Sequence, residues 1–108
     1  MYKDINETIL EDLGGGVKRR ILVHGGKMMG VLVEFEEGSI GAMHKHEHEQ
    51  LTYILEGEFE FTIDGEKHMC KVGDTLYKQP NVMHGCVCLK KGKLLDTFTP
   101  QRDDFLKK

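Results

Sequence analysis

The chain has 108 residues with 15 basic and 18 acidic side chains, a formal charge of −3, and no basic block, so no nucleic-acid partner is expected. One domain spanning residues 1–108 fits this length, and folding buries roughly 65% of the extended surface, enough for a core without staples. The opening MYKDINETILEDLGGGVKRR lacks the apolar stretch of a signal peptide and no apolar run reaches membrane length, so a cytoplasmic protein with no membrane partner is expected.

In chain order, Ile5, Ile9 and Leu10 suit a short helix or an extended arm. Residues 17–23 alternate as a strand closed by His24-Gly25-Gly26. Met29, Val31, Val33 and Phe35 share one face of the next run, which stops at Glu36-Glu37-Gly38. After a histidine-rich segment, residues 51–55 form a strand broken at Glu56-Gly57. Phe59, Phe61 and Ile63 alternate with polar residues up to Asp64-Gly65, a strong hairpin cue because a type I′ turn needs positive φ at both central residues. The return strand covers 66–72, a short strand covers 75–79, and Pro80-Asn81 makes a turn. A last hairpin is expected between 82–89 and 94–99, across Lys90-Lys91-Gly92-Lys93.

Cys86-Val87-Cys88 reads as two small packing residues, and with Cys70 the odd total argues against a disulfide framework. The polar tail beyond Pro100 offers Phe105 and Leu106 for docking. Eight to ten short strands with turns between them predict an all-β fold, an antiparallel sandwich or barrel.

The stretch HKHEHEQ, residues 44–50, carries the chemistry. In a strand, His44 and His46 project to one face and form a chelating pair for a first-row divalent ion. A third ligand would come from the start of the next strand, and His84, His68 and His24 are candidates for a fourth. Glu47 and Glu49 read as solvent-facing charges, and His48 as a turn residue.

From Gly38 the chain runs five residues to His44, one to His46, three to Gln50 and six to Gly57. This resembles the first signature of the cupin superfamily. GDTLYKQPNVMHGCVC resembles the second, with Gly73 and His84 in register. In that second signature the proline is displaced by one position to Pro80, Asn81 stands at a glycine position, and Cys88 replaces the closing asparagine. The resemblance implies a double-stranded β-helix, or jelly-roll barrel, and the ligand set His44, His46, Gln50 and His84. It also implies one divalent first-row metal ion (Ni, Zn, Mn, Fe or Co). Gln50 holds a position that is acidic in the signature; a neutral amide leaves the ion its full +2 charge and greater Lewis acidity.

Over residues 11–106 the chain further resembles small cupins of the KdgF type, most specifically in the tail DTFTPQRDDFL. That resemblance implies conversion of 4,5-unsaturated uronate monosaccharides, a sugar-acid substrate, into linear keto-uronates. Asp96 and Phe98, at i and i+2 of the last strand, share a face just before Arg102. By the resemblance, Asp96 transfers the proton, Arg102 grips the substrate carboxylate bidentately, and Phe98 forms an apolar wall. Tyr53 and Gln79 are further pocket candidates, and a homodimer is expected. A non-catalytic sugar-acid-binding cupin and a metal-dependent oxygenase are the alternative readings.

Overall fold

A computed structural model describes residues 1–106, which are mostly strand. The amino-terminal segment contains a single 3-10 turn, Ile5–Glu7, capped by the Asp4 carboxylate, which accepts the Asn6 amide at 2.8 Å. The strands are β1 (Glu11–Gly14), β2 (Val17–Gly25), β3 (Met28–Phe35), β4 (Ile40–His44), β5 (Glu49–Ile63), β6 (Glu66–Cys70), β7 (Thr75–Lys78) and β8 (His84–Thr99). A one-turn helix α1 (Asp103–Leu106) follows. Among the described residues no helix is long and apolar enough to cross a membrane.

β5 and β8 organise the molecule. They pair antiparallel from Glu49–Thr99 to Ile63–His84, so the hairpin expected across Lys90–Lys93 does not form. The break expected at Glu56-Gly57 is likewise absent. Both signals mark bends in continuous strands. The ladder shifts register between Ile54 and Phe59, where Gly57, with φ +80°, lies against the carbonyls of Lys90 and Lys91. Gly92 approaches the Glu56 carbonyl in the same way, and a Cβ at either position would collide with the facing backbone. Glycine here permits a bulge and a close approach of two strands rather than a reversal.

The bend sends the two halves of the pair into different sheets. The first half of β5 and the second half of β8 lie between β7 and β3, with β2 and β1 beyond. The second half of β5 and the first half of β8 lie between β6 and β4. The result is an antiparallel jelly-roll barrel, the form the cupin resemblance implies and one of the two architectures, sandwich or barrel, expected from the strand pattern. The Asp64-Gly65 hairpin forms as expected, with φ of 50° and 81° in a two-residue loop.

An apolar cluster built on Phe35, Ile54, Phe59, Phe61 and Leu94 fills the barrel near the bend. Cys70, Cys86 and Cys88 are buried free thiols within it, and burial pushes Cys86 up to about 11, so it packs as a protonated side chain. A second, smaller cluster joins Met29, Val31 and Phe98. The barrel also buries polar side chains, chiefly Gln50, Thr52, Lys78, His84 and Asp96.

Candidate functional site

Strand register assembles the polar interior. Gln50 of β5 pairs with Lys78 of β7 on one side and Phe98 of β8 on the other. Two residues along, Thr52 pairs with Leu76 and Asp96. The period of two turns all of Gln50, Thr52, Lys78, Asp96 and Phe98 inward, where they are buried. At the other end of the β5–β8 ladder, His84 opens β8 and pairs with His44, the last residue of β4.

His44, His46 and His84 each offer a ring nitrogen, and these atoms all lie within 4.8 Å of one another. His44 and His84 belong to strands, whereas His46 stands in the loop after β4, yet the His44 and His46 rings converge with centroids 5.4 Å apart. The loop is pinned where the His46 carbonyl accepts the Asn81 amide at 2.7 Å, joining the two histidine-bearing segments.

Each imidazole is oriented from behind by a carbonyl. Nδ1 of His44 contacts the Ala42 carbonyl at 2.8 Å, that of His46 the His48 carbonyl at 2.9 Å, and that of His84 the Val82 carbonyl at 3.0 Å. A carbonyl only accepts, so each Nδ1 carries the proton and each Nε2 presents a lone pair to the centre. Burial pushes His84 down to about 4 and lowers His46, and both therefore favour the neutral, ligating form.

These residues fit a metal ion on two observations. Nε2 of His84 is buried without a hydrogen-bond partner. Nε2 of His46 and Oε1 of Gln50, both presenting lone pairs, lie 3.0 Å apart. Ligand atoms at adjacent corners of a first-row metal's shell, each roughly 2.1 Å from the ion, are separated by about that distance. His44 is exposed, which leaves one side of the centre open to solvent.

A cavity of about 130 Å³ adjoins the centre, lined by His44, Gln50, Asp96, Phe98, Arg102 and Phe105 among others. Asp96, 7% exposed, accepts the Thr52 hydroxyl through Oδ1 at 2.6 Å. The guanidinium of Arg102 stacks on Phe105 at 4.1 Å and stands 5.1 Å from the Phe98 centroid. Its Nε and Nη2 hold Asp104 at 3.0 and 2.8 Å, and this pairing keeps the Asp104 carboxyl below its usual range. The side-on fork of Arg102 is thus occupied by Asp104, and the edge left for bidentate contact is the Nη1–Nη2 one.

Other candidates lie elsewhere. His24 contacts Gln101 at 2.9 Å and His68 stands 3.8 Å from Glu66, both away from the centre. Tyr53 and Gln79 are exposed and do not reach the cavity. His48 contributes its carbonyl to the orientation of His46 rather than a ring nitrogen to the centre.

Two residues escaped the sequence reading, Arg19 in the cavity lining and Lys78 behind it in the polar interior. Arg19 stacks on the face of Phe105 at 4.0 Å, so that ring contacts two guanidinium groups. Lys78, 2% exposed, donates to Thr52 Oγ1 at 2.8 Å; burial lowers its pKa, opposed mainly by the charge of Asp96. The parity of Leu76 and Lys78 in β7 held the signal for an inward lysine, but lysine is so rarely buried that the residue type outweighs the pattern.

Comparisons with known proteins agree with this fold. The cupin domain family matches residues 31–98. The chain is 47% identical to the pectin degradation protein KdgF of Dickeya dadantii (strain 3937), over 94% of each chain. Among solved structures, KdgF from Halomonas sp. superposes with a TM-score of 0.91 at 36% identity, covering 97% of both chains. An RmlC-like cupin from Shewanella frigidimarina gives a TM-score of 0.92 at 40% identity, over 96% of this chain and 94% of that one.

Proposed function

The chain belongs to the cupin domain family, and on that premise we propose that it catalyses the ring opening and ketonisation of 4,5-unsaturated uronate monosaccharides. The observation that carries this reading is the convergence of Asp96, Phe98 and Arg102 on one cavity that also touches His44 and Gln50. The likeness to KdgF of Dickeya dadantii, a pectin degradation protein, supplies the class of substrate.

The reaction needs few groups. In the substrate the C4=C5 bond is conjugated to the C6 carboxylate, and the ring oxygen bridges C5 and C1. Breaking the bond from C1 to that oxygen yields an aldehyde at C1 and an enol at C5. Transfer of a proton to C4 then gives the ketone, with no net change in redox state. His44, His46, Gln50 and His84 would hold a divalent ion, which when bound supplies Lewis acidity toward a substrate oxygen. Arg102 binds the carboxylate through its Nη1–Nη2 edge. Phe98, 3% exposed, forms a flat apolar wall for the conjugated system. Asp96, its Oδ1 fixed by Thr52, carries the proton to C4 through the other oxygen.

The test is direct. Purified protein loaded with Zn²⁺ and mixed with unsaturated galacturonate should speed the loss of ultraviolet absorbance from the conjugated bond. Asp96→Asn should lower kcat by roughly 100-fold or more, the size expected for a lost proton-transfer group. His68→Ala, remote and exposed, should match the wild type. A rate no faster than the spontaneous one would refute the proposal, and Zn²⁺, which has no redox chemistry, keeps an oxygenase from producing the signal.

A further inference from the structure

Thr52 joins both halves of the proposed machinery. Its hydroxyl lies 2.8 Å from Lys78 Nζ, 3.4 Å from Gln50 Nε2 and 2.6 Å from Asp96 Oδ1. The residue is fully buried at 0% exposure, away from bulk solvent. An ammonium has only donors and so does an amide NH₂, and a hydroxyl has two lone pairs and one proton. Lys78 and Gln50 fill the lone pairs, and the single proton is left for Asp96. The polarity of the whole chain is therefore fixed by Lys78, which sits at its end with its ammonium over the Phe61 ring at 4.6 Å.

Two consequences follow for Gln50 and Asp96, to which Lys78 Nζ is linked only through the Thr52 hydroxyl. Gln50 must turn its NH₂ toward Thr52, and its oxygen is thereby aimed at His46 and the metal centre. Asp96 must accept at Oδ1, and the carboxylate is thereby held in one rotamer with Oδ2 left for the cavity. We propose that Lys78 and Thr52 are positioning residues: together they set which atom of Gln50 faces the metal and which oxygen of Asp96 faces the substrate. The Asp96 half of this inference rests on the ketonisation reading; the Gln50 half needs only the metal centre.

Three variants of the full chain separate the possibilities. Thr52→Val keeps the volume and removes the hydroxyl, Thr52→Ser keeps the hydroxyl, and Lys78→Met keeps the stem and removes the ammonium. Zn²⁺ affinity is read by competition with a chromogenic chelator, and kcat and KM are read at saturating Zn²⁺. Thr52→Val should weaken Zn²⁺ roughly 10- to 100-fold, the usual cost of losing a partner behind a ligand, with Thr52→Ser within about threefold of wild type. On turnover, Thr52→Val and Lys78→Met should lower kcat by at least about tenfold while KM moves less than about twofold, since the carboxylate grip is untouched.

A folded Thr52→Val that binds Zn²⁺ and turns over like wild type would overturn the proposal. So would Thr52→Ser as impaired as Thr52→Val, which would point to packing alone. A folded Lys78→Met with wild-type kcat would remove Lys78 from it. If Lys78→Met does not fold, the two Thr52 variants still decide. If the wild type does not turn over unsaturated galacturonate, the ketonisation reading and the Asp96 half fail together, and Zn²⁺ affinity alone judges the Gln50 half.

Discussion

At the scale of single residues, His84 combines two demands that conflict in acid. Its ring is 2% exposed and its Nδ1 is tied to the Val82 carbonyl, so the protonated form has neither solvent nor an acceptor for its second proton. Burial accordingly pushes it down to about 4, against an ordinary value near 6.5 in the unfolded chain. Between these two values the unfolded chain takes up a proton at this position and the native chain does not. Stability of the metal-free protein should therefore be full above pH 6.5 and fall as the pH drops toward 4, with His46 adding in the same direction. Melting temperatures of chelator-treated protein across this window should rise with pH. His84→Gln, which has no titrating ring, should give a shallower slope; an unchanged slope would show that other groups govern the acid limb. The same burial makes the site ready for a cation at neutral pH, because the lone pairs are not occupied by protons.

At the scale of elements, the chain's alternation and turn chemistry were readable wherever one residue type served one purpose. Asp64-Gly65 makes the expected hairpin because positive φ is needed there and nowhere adjacent. Parity puts Asp96 and Phe98 on one face, which the fold turns inward, and it is the resemblance of the Gly38-to-Gly57 spacing to the cupin signature that implies His44, His46 and Gln50 as ligands. Gly57 and Gly92 misled because glycine serves turns and bulges alike, and only the facing strand tells which. Lys78 was illegible for the opposite reason: its burial depends on Thr52, 26 residues before it, and on Asp96, which is 44 residues from Thr52. The bend itself can be tested. In Gly92→Ala the new methyl would enter the Glu56 carbonyl and crowd Phe59, an overpacking that should cost roughly 3 kcal/mol. Gly30→Ala meets Leu22 at an ordinary 3.6 Å and should stay within about 1 kcal/mol of wild type. Denaturant midpoints at equal m-value compare the two, and equal loss in both would mean the bend tolerates a side chain.

At the scale of the whole molecule, the four proposed metal ligands come from β4, the loop after it, β5 and β8. Among the described residues the strand pairing of β4 is with β8, and its register shifts between Gly41 and His44. The segment from His44 to Glu49 is paired at its ends, His44 with His84 and Glu49 with Thr99, and is tied between them by the Asn81 amide bond to the His46 carbonyl. An ion held by His44, His46, Gln50 and His84 would close that segment onto the long β5–β8 pair, which carries both sheets. Unfolding would then have to release the ion, and binding energy becomes folding energy. At a free metal concentration 100 times the Kd the gain is about 2.7 kcal/mol, and for a chain of this size that corresponds to a rise in Tm of roughly 10 °C or more. Thermal melts with chelator and with excess Zn²⁺ should differ by that amount. The His44→Ala, His84→Ala double variant should melt at the same temperature in both. If the double variant kept the full Zn²⁺-dependent rise, the ion would be bound elsewhere and the ligand set would be wrong. If single Gln50→Leu kept it too, the amide would have no part in holding the ion, whatever the fate of the histidines.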